Sequence, residues 1–315
     1  MSTTPAYIHS GKAPLTGLMM AMLTGLATAV VLGVAYAFAV VYIPIVYLNM
    51  LLTMGFGAAI GGAVGYTAKL GHVRSRLMPS MVAAVCGLVG LYIAWGADAL
   101  ARVGVPVGGD VFDAFRPELL SAYMKFFYEN GFWAIGHGVG NNNQQMVSGI
   151  ALAAVWLAEA GIIVGVAAFV SWVTLGHAVY CEHCEKWARS QKNVQRLTIG
   201  MPDTAIAQIA AGDLSLLDAW PRANPADQFF VRLNLDFCDG CENSNYLTME
   251  RVVTQIDKKG NPKQVVTAIV KRMPIDVADV PRVRAAGHLA VPPPAAAPVA
   301  DAPPAAVFEQ EQPAQ

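Results

Sequence analysis

From Pro14 to Ala68 the chain runs without a single charged side chain. About 20 apolar residues suffice to cross the hydrocarbon core of a bilayer, so this stretch is long enough for two spans. They are placed at about 16–41 and about 46–68, broken at "VYIPIVYLNM", where Pro44, Asn49, Tyr42 and Tyr47 suit an interfacial turn. A third apolar run covers about 79–97, opening at Pro79 and closing before Asp98, and a fourth covers about 146–175. In a chain of 315 residues that is 55% hydrophobic and only 14% charged, with mean hydropathy +0.44, these runs predict an integral membrane protein.

Four spans place both termini on one side, and loop charges choose the side. Lys69, Arg74 and Arg76 crowd the second loop, while Lys186, Arg189, Lys192 and Arg196 follow the fourth span. The positive-inside rule makes both regions cytoplasmic and the segment between the third and fourth spans external. That segment contains "FRPELLSAYMKFFYENGFW", which predicts an amphipathic helix with Phe132 and Trp133 at the interface. Ala35-Tyr36-Ala37 has the form of a signal-peptidase site, but the apolar run continues past it and exceeds an h-region of about 7–15 residues, so no cleavage is expected.

Beyond residue 190 the pattern becomes that of a soluble domain. "PDTAIAQIAAGDLSLLDAWP" predicts one or two short helices, with Asp203 as cap and Gly212 as terminator. "FVRLNLDF" alternates, placing Val231, Leu233, Leu235 and Phe237 on one face of a strand. "YLTMERVVTQI" and "QVVTAIVKRM" read as two more strands joined by a hairpin at "DKKGNP". After Ala290 the Pro/Ala-rich segment lacks the apolar content to order itself and is expected to be a disordered tail.

Four of the five cysteines form two Cys-x-x-Cys pairs, Cys181 with Cys184 in "YCEHCEKW" and Cys238 with Cys241 in "FCDGCEN". Each pair holds two thiolates on one tight turn, and two such turns together supply the tetrahedral sulfur set that zinc prefers. Four cysteine ligands leave no open coordination position, so the metal is structural, and its binding helps fold a domain with little core of its own. Iron is the less favoured occupant of the same geometry. A cytoplasmic location disfavours a stable disulfide, and no thioredoxin-like βαβ pattern surrounds either pair. His183 reads as an exposed turn residue, and Cys86, inside an apolar run, as a small hydrophobe.

The two knuckles and the strands at about 229–237, 245–256 and 264–272 resemble a zinc ribbon over about a hundred residues. The resemblance implies a structural four-cysteine zinc site on a small sheet. Two departures from the ribbon pattern are a long insert between the knuckles and the lack of a Gly after either second cysteine.

The helices carry two stripes of small residues. Gly57, Gly61 and Gly65 form a tandem GxxxGxxxG in the second span, and Gly17, Ala21, Gly25, Ala29, Gly33 and Ala37 recur at every fourth position in the first. Such stripes let helix backbones approach closely, which predicts packing of spans one and two on each other, with homo-oligomerisation as the alternative use. Glu159, within "VWLAEAGIIVG", lies at bilayer depth, where an ionised carboxylate costs about 2.5 kcal/mol or more. It is therefore either a protonated group bonded to a neighbouring Tyr, Thr or Ser, or a residue handling protons or cations. "GHGVGNNNQQ", with His137, reads as a turn and helix start.

No phosphate-binding, zincin, nucleophile-elbow or kinase motif occurs, so catalysis has no positive support. Net charge is −1 with acids and bases interspersed, which argues against nucleic-acid binding. The expected organisation is a four-helix transmembrane domain at 1–176, a small α+β or β cytoplasmic zinc-ribbon-like domain at 177–287 and a disordered tail at 288–315. The expected role is a membrane-embedded, lipid-contacting scaffold that binds a protein partner through the zinc domain. A small proton- or cation-linked transporter or channel using Glu159, and a thiol or iron redox protein, are the alternatives.

Overall fold

The computed structural model describes residues 7–43, 45–105, 109–135, 145–176, 178–200, 202–241, 244–258 and 261–287. The turn at Pro44, the stretch 136–144 with His137, the tip of the "DKKGNP" hairpin and the tail expected at 288–315 lie outside these residues.

Four helices are long and apolar enough to cross a membrane. They are α1 (Leu15–Tyr42), α2 (Val46–Leu70), α3 (Leu77–Val103) and, after a shorter α4 (Pro117–Asn130), α5 (Gly149–Leu175). The sequence boundary before Asp98 proves too early. Hydropathy falls at the first charge, but the backbone stays helical to Val103, where Gly104 at φ 80° ends it, so Asp98 and Arg102 belong to α3 as an i,i+4 pair. Pro117 opens α4 at its first turn, where its missing N–H costs nothing, and Gly131 at φ 93° closes it. Short strands β1 (Trp133–Ile135) and β2 (Gln145–Val147) then pair antiparallel before α5.

The small-residue stripes are used, but not only on one another. A methyl group added at Gly57 would lie 2.6 Å from the Ile163 carbonyl oxygen, one at Gly61 would strike the backbone of Ala167, and one at Gly65 would lie 2.8 Å from Thr174 Cβ. The glycine face of α2 is thus seated on α5 rather than on α1. On α1, Gly25 touches Val64 of α2 and Cys86 of α3, whereas Gly33 lies against Gly90 and Ile93 of α3. Cys86 is fully buried in the core these helices share.

The chain divides into two compact units. One comprises Ile8–Arg189 together with Cys238–Ser244; the other is built, among the described residues, from Ser190–Phe237 and 245–287, with Tyr7. Both cysteine pairs thus group with the helices.

The second unit holds a four-stranded sheet in the order β5 (Arg189–Leu197), β6 (Phe229–Phe237), β7 (Asn245–Ile256) and β8 (Pro262–Pro274). The last three are the expected strands. β6 buries Val231, Leu233 and Leu235 on its alternating face, and Arg232 meets Glu250 across the β6–β7 ladder at 2.7 Å. Helices α6 (Asp203–Ala210) and α7 (Asp279–Ala285) complete the unit, with Pro202 rather than Asp203 at the N-cap of α6 and Gly212 at φ 105° beyond its end. Trp220 is fully buried in the core of the sheet, its Nε1 donating to the Thr198 carbonyl at 2.8 Å.

Candidate metal centre and a polar cavity among the helices

The first cysteine pair sits in a hairpin of β3 (Tyr180–Cys181) and β4 (Lys186–Trp187), where Cys181 is opposite Lys186. The second occupies the turn that joins β6 to β7, closed by the Cys238 N–H donating to the Ser244 carbonyl at 3.1 Å. Between them the Sγ atoms of Cys181, Cys184, Cys238 and Cys241 all lie within 4.8 Å of one another, with Cys181 and Cys238 buried. Four sulfurs on a tetrahedron around zinc, each about 2.3 Å from it, stand about 3.8 Å apart, so the donor set has the size and chemistry for such an ion.

Two local features form this cluster. Gly240 lies beside the thiols, where an added Cβ would be 3.1 Å from Cys184 Sγ, so a glycine lets the second turn close over the first. Glu185, directly after Cys184, takes the left-handed conformation at φ 51°. The knuckle therefore makes the turn usually given to glycine without one, at a backbone cost of about 1 kcal/mol or more. His183 is exposed and is not among the clustered ligands.

The thiols are electrostatically unequal. Burial pushes Cys181 up, but hydrogen bonds involving Ser244, the backbone of Cys184 and the neighbouring cysteines outweigh it and hold this thiol at about 6. Cys184 is pushed up to about 12, first by its hydrogen bond with Cys241, then by desolvation and the other two cysteines. A cluster that already holds one thiolate near neutral pH is primed for a cation.

The first knuckle is packed against the loop joining α2 to α3. Trp187 Nε1 donates to the Lys69 carbonyl at 2.8 Å, Arg74 stacks over Tyr180 at 4.1 Å, and Glu182 accepts from Arg74 at 3.0 Å while Lys12 lies 3.6 Å away. Arg189 and Asp239 pair at 3.4 Å, linking the strand after the first knuckle to the second.

At the other end of the helices a cavity of about 490 Å³ opens among α1, α2, α3 and α5. Glu159 lines it, as do Asp98 and Arg102 from the last turns of α3, which the sequence boundary left outside the spans. Asp98 is buried and fully engaged: Arg102 Nε donates to both its oxygens at 3.1 Å and the Tyr123 hydroxyl donates at 2.6 Å. Desolvation, followed by that bond to Asp98, raises the Tyr123 phenol above its ordinary value. Glu159 has no such cation among the described residues and is bonded instead to the Tyr36 hydroxyl at 2.6 Å.

Tyr36 Oη donates this bond and also lies 2.9 Å from Thr53 Oγ1, which donates to the Asn49 carbonyl at 2.8 Å. A hydrogen-bonded chain thus runs from Glu159 of α5 through Tyr36 of α1 to Thr53 and Asn49 of α2.

No protein-family model, curated protein or solved structure matches the chain.

Proposed function

We propose that the chain is a multi-pass protein of the cell's inner or plasma membrane, with both termini in the cytoplasm, in which a structural zinc-ribbon-like centre presents the strand unit to a protein partner. One observation carries this reading. The four clustered thiols fall in the same compact unit as the four long apolar helices. A metal held there with four cysteine ligands serves scaffold chemistry rather than catalysis, since no coordination position is left for substrate. Zinc is favoured over iron as the resident ion because the sulfur set needs no redox partner to serve this role.

The partner surface on this reading is the outer half of the β7–β8 hairpin. Residues 262–268 of β8 are exposed on both faces, Val265 and Val266 stand in solvent on this edge strand, and Ile256 is exposed at the end of the neighbouring β7. An edge of this kind offers unpaired backbone groups together with apolar side chains to an incoming chain.

The test has two arms. Metal content is measured by mass spectrometry on the detergent-purified full chain, wild type, Cys181→Ser and Cys238→Ser. One zinc per chain, lost from both variants, supports the centre; iron or no metal overturns it. A photoreactive residue at position 265 in native membranes then tests the partner. A discrete adduct abolished by Ile256→Ser with Val266→Ser supports the surface, an adduct with a second copy makes that copy the partner, and no adduct overturns it.

A further inference from the structure

The cavity among the helices is a feature that a structural metal centre at their far end does not need. At about 490 Å³ it falls within the range of small-molecule sites. Its polar groups do not balance. Asp98 is neutralised by Arg102, whereas Glu159 faces the same space with no basic partner among the described residues, so the ionised site carries one negative charge in excess. Asn49 Oδ1, on another lining residue, is buried without a hydrogen-bond partner. Asn49 Oδ1 calls for a hydrogen-bond donor and the Glu159 carboxylate for positive charge, and an ammonium N–H supplies both.

The apolar wall has the matching chemistry. Trp95 and Trp156 meet edge to face at 5.0 Å, and Phe132 lies 6.2 Å from the first ring and 6.3 Å from the second. Phe132 already carries one cation on its face, the Arg102 guanidinium at 4.4 Å. Aromatic faces clustered beside a carboxylate attract an organic cation through the ring quadrupole as well as through charge.

From this geometry we infer that the cavity is a binding site for an amphipathic organic ammonium. Its N–H groups donate to Glu159 and Asn49, and its apolar body lies against the cluster of Trp95, Trp156 and Phe132. The bound ammonium donates to the Glu159 carboxylate and cancels the one excess negative charge of the site.

Three probes of one shape and different charge decide the matter: benzylammonium, benzyl alcohol and benzoate, titrated calorimetrically into the detergent-solubilised full chain. Benzylammonium is expected to bind saturably, benzyl alcohol about tenfold or more weakly, and benzoate not at all. Glu159→Gln, whose amide oxygen can still accept from Tyr36, is expected to keep its metal content and thermal stability while losing benzylammonium affinity about tenfold or more. Benzyl alcohol binding as tightly as benzylammonium, tighter binding of benzoate, or unchanged affinity in Glu159→Gln each overturns the assignment. Should that variant fail to fold, the wild-type charge series alone decides. Because metal content is read in the same samples, failure here is distinguishable from failure of the zinc scaffold.

Discussion

Trp187 Nε1 donates to the main-chain carbonyl of Lys69 at 2.8 Å, so the hairpin carrying the first two clustered cysteines is bonded to the loop that joins the second and third helices. Tyr180 packs edge to face on the same indole at 5.0 Å, and Arg74 covers Tyr180. The knuckle is thereby oriented by the helical unit and does not depend on the metal alone. Trp187→Phe keeps the ring and removes the bond, and is expected to cost about 1 kcal/mol. The chain should retain zinc but melt at lower temperature in detergent. Trp187→Ala should lose more, because the aromatic packing goes as well.

Zinc uptake should depend on pH with a sign set by the two shifted thiols. Cys184, held high at about 12, must surrender its proton to the metal throughout the neutral range, so affinity rises with pH. Cys181, held at about 6, is already ionised above that value and competes for a proton only below it. Chelator competition on metal-stripped protein should therefore show affinity falling as pH drops, and falling more steeply below about 6. A flat profile through that region would contradict the thiolate assignment.

The glycine face of α2 supplies an internally controlled pair of substitutions. Gly61→Ala drives a methyl group into the backbone of Ala167 and should separate α2 from α5, at about 1–3 kcal/mol. Gly62→Ala, one residue along, meets nothing within 4 Å and should be neutral or slightly stabilising through its better helix propensity. Thermal unfolding in detergent compares the two directly. Equal effects would mean that α2 does not pack on α5 through this face.

Asp98 and Arg102 are expected to behave as a unit. Arg102→Met leaves a buried carboxylate without its cation and should cost about 3–5 kcal/mol. The double variant Asp98→Asn, Arg102→Met should recover a large part of that loss, since no charge is then stranded. Tyr123→Phe, which removes only one hydrogen bond to the same carboxylate, should cost about 1–3 kcal/mol. A double-mutant cycle read by thermal unfolding measures the coupling.

Which parts of this could be read before folding follows from the range of the interactions. The long helices were legible because a run such as Pro14–Ala68 has no charged side chain and few polar ones, whatever its neighbours. The four-cysteine set was legible because a Cys-x-x-Cys turn is a local geometry. Strand β5 was missed because its first five residues are exposed and it shows no alternating apolar face. The glycines of α2 announced a close helix contact, yet a residue without a side chain carries no mark of its partner, and the partner proved to be α5.

The sequence alone determined the number of long apolar helices, the four-cysteine set and the β6–β8 strands, since each depends on a repeat or spacing within one short segment. Only the tertiary structure decided that the cysteines group with the helices, and that Asp98, Arg102 and Glu159 share a cavity with Tyr36, Asn49 and three aromatic rings. Those residues come from separate elements across more than a hundred positions of chain. Nothing in their local sequence encodes the meeting; the packing of small-residue stripes brings the helices close enough for it to occur.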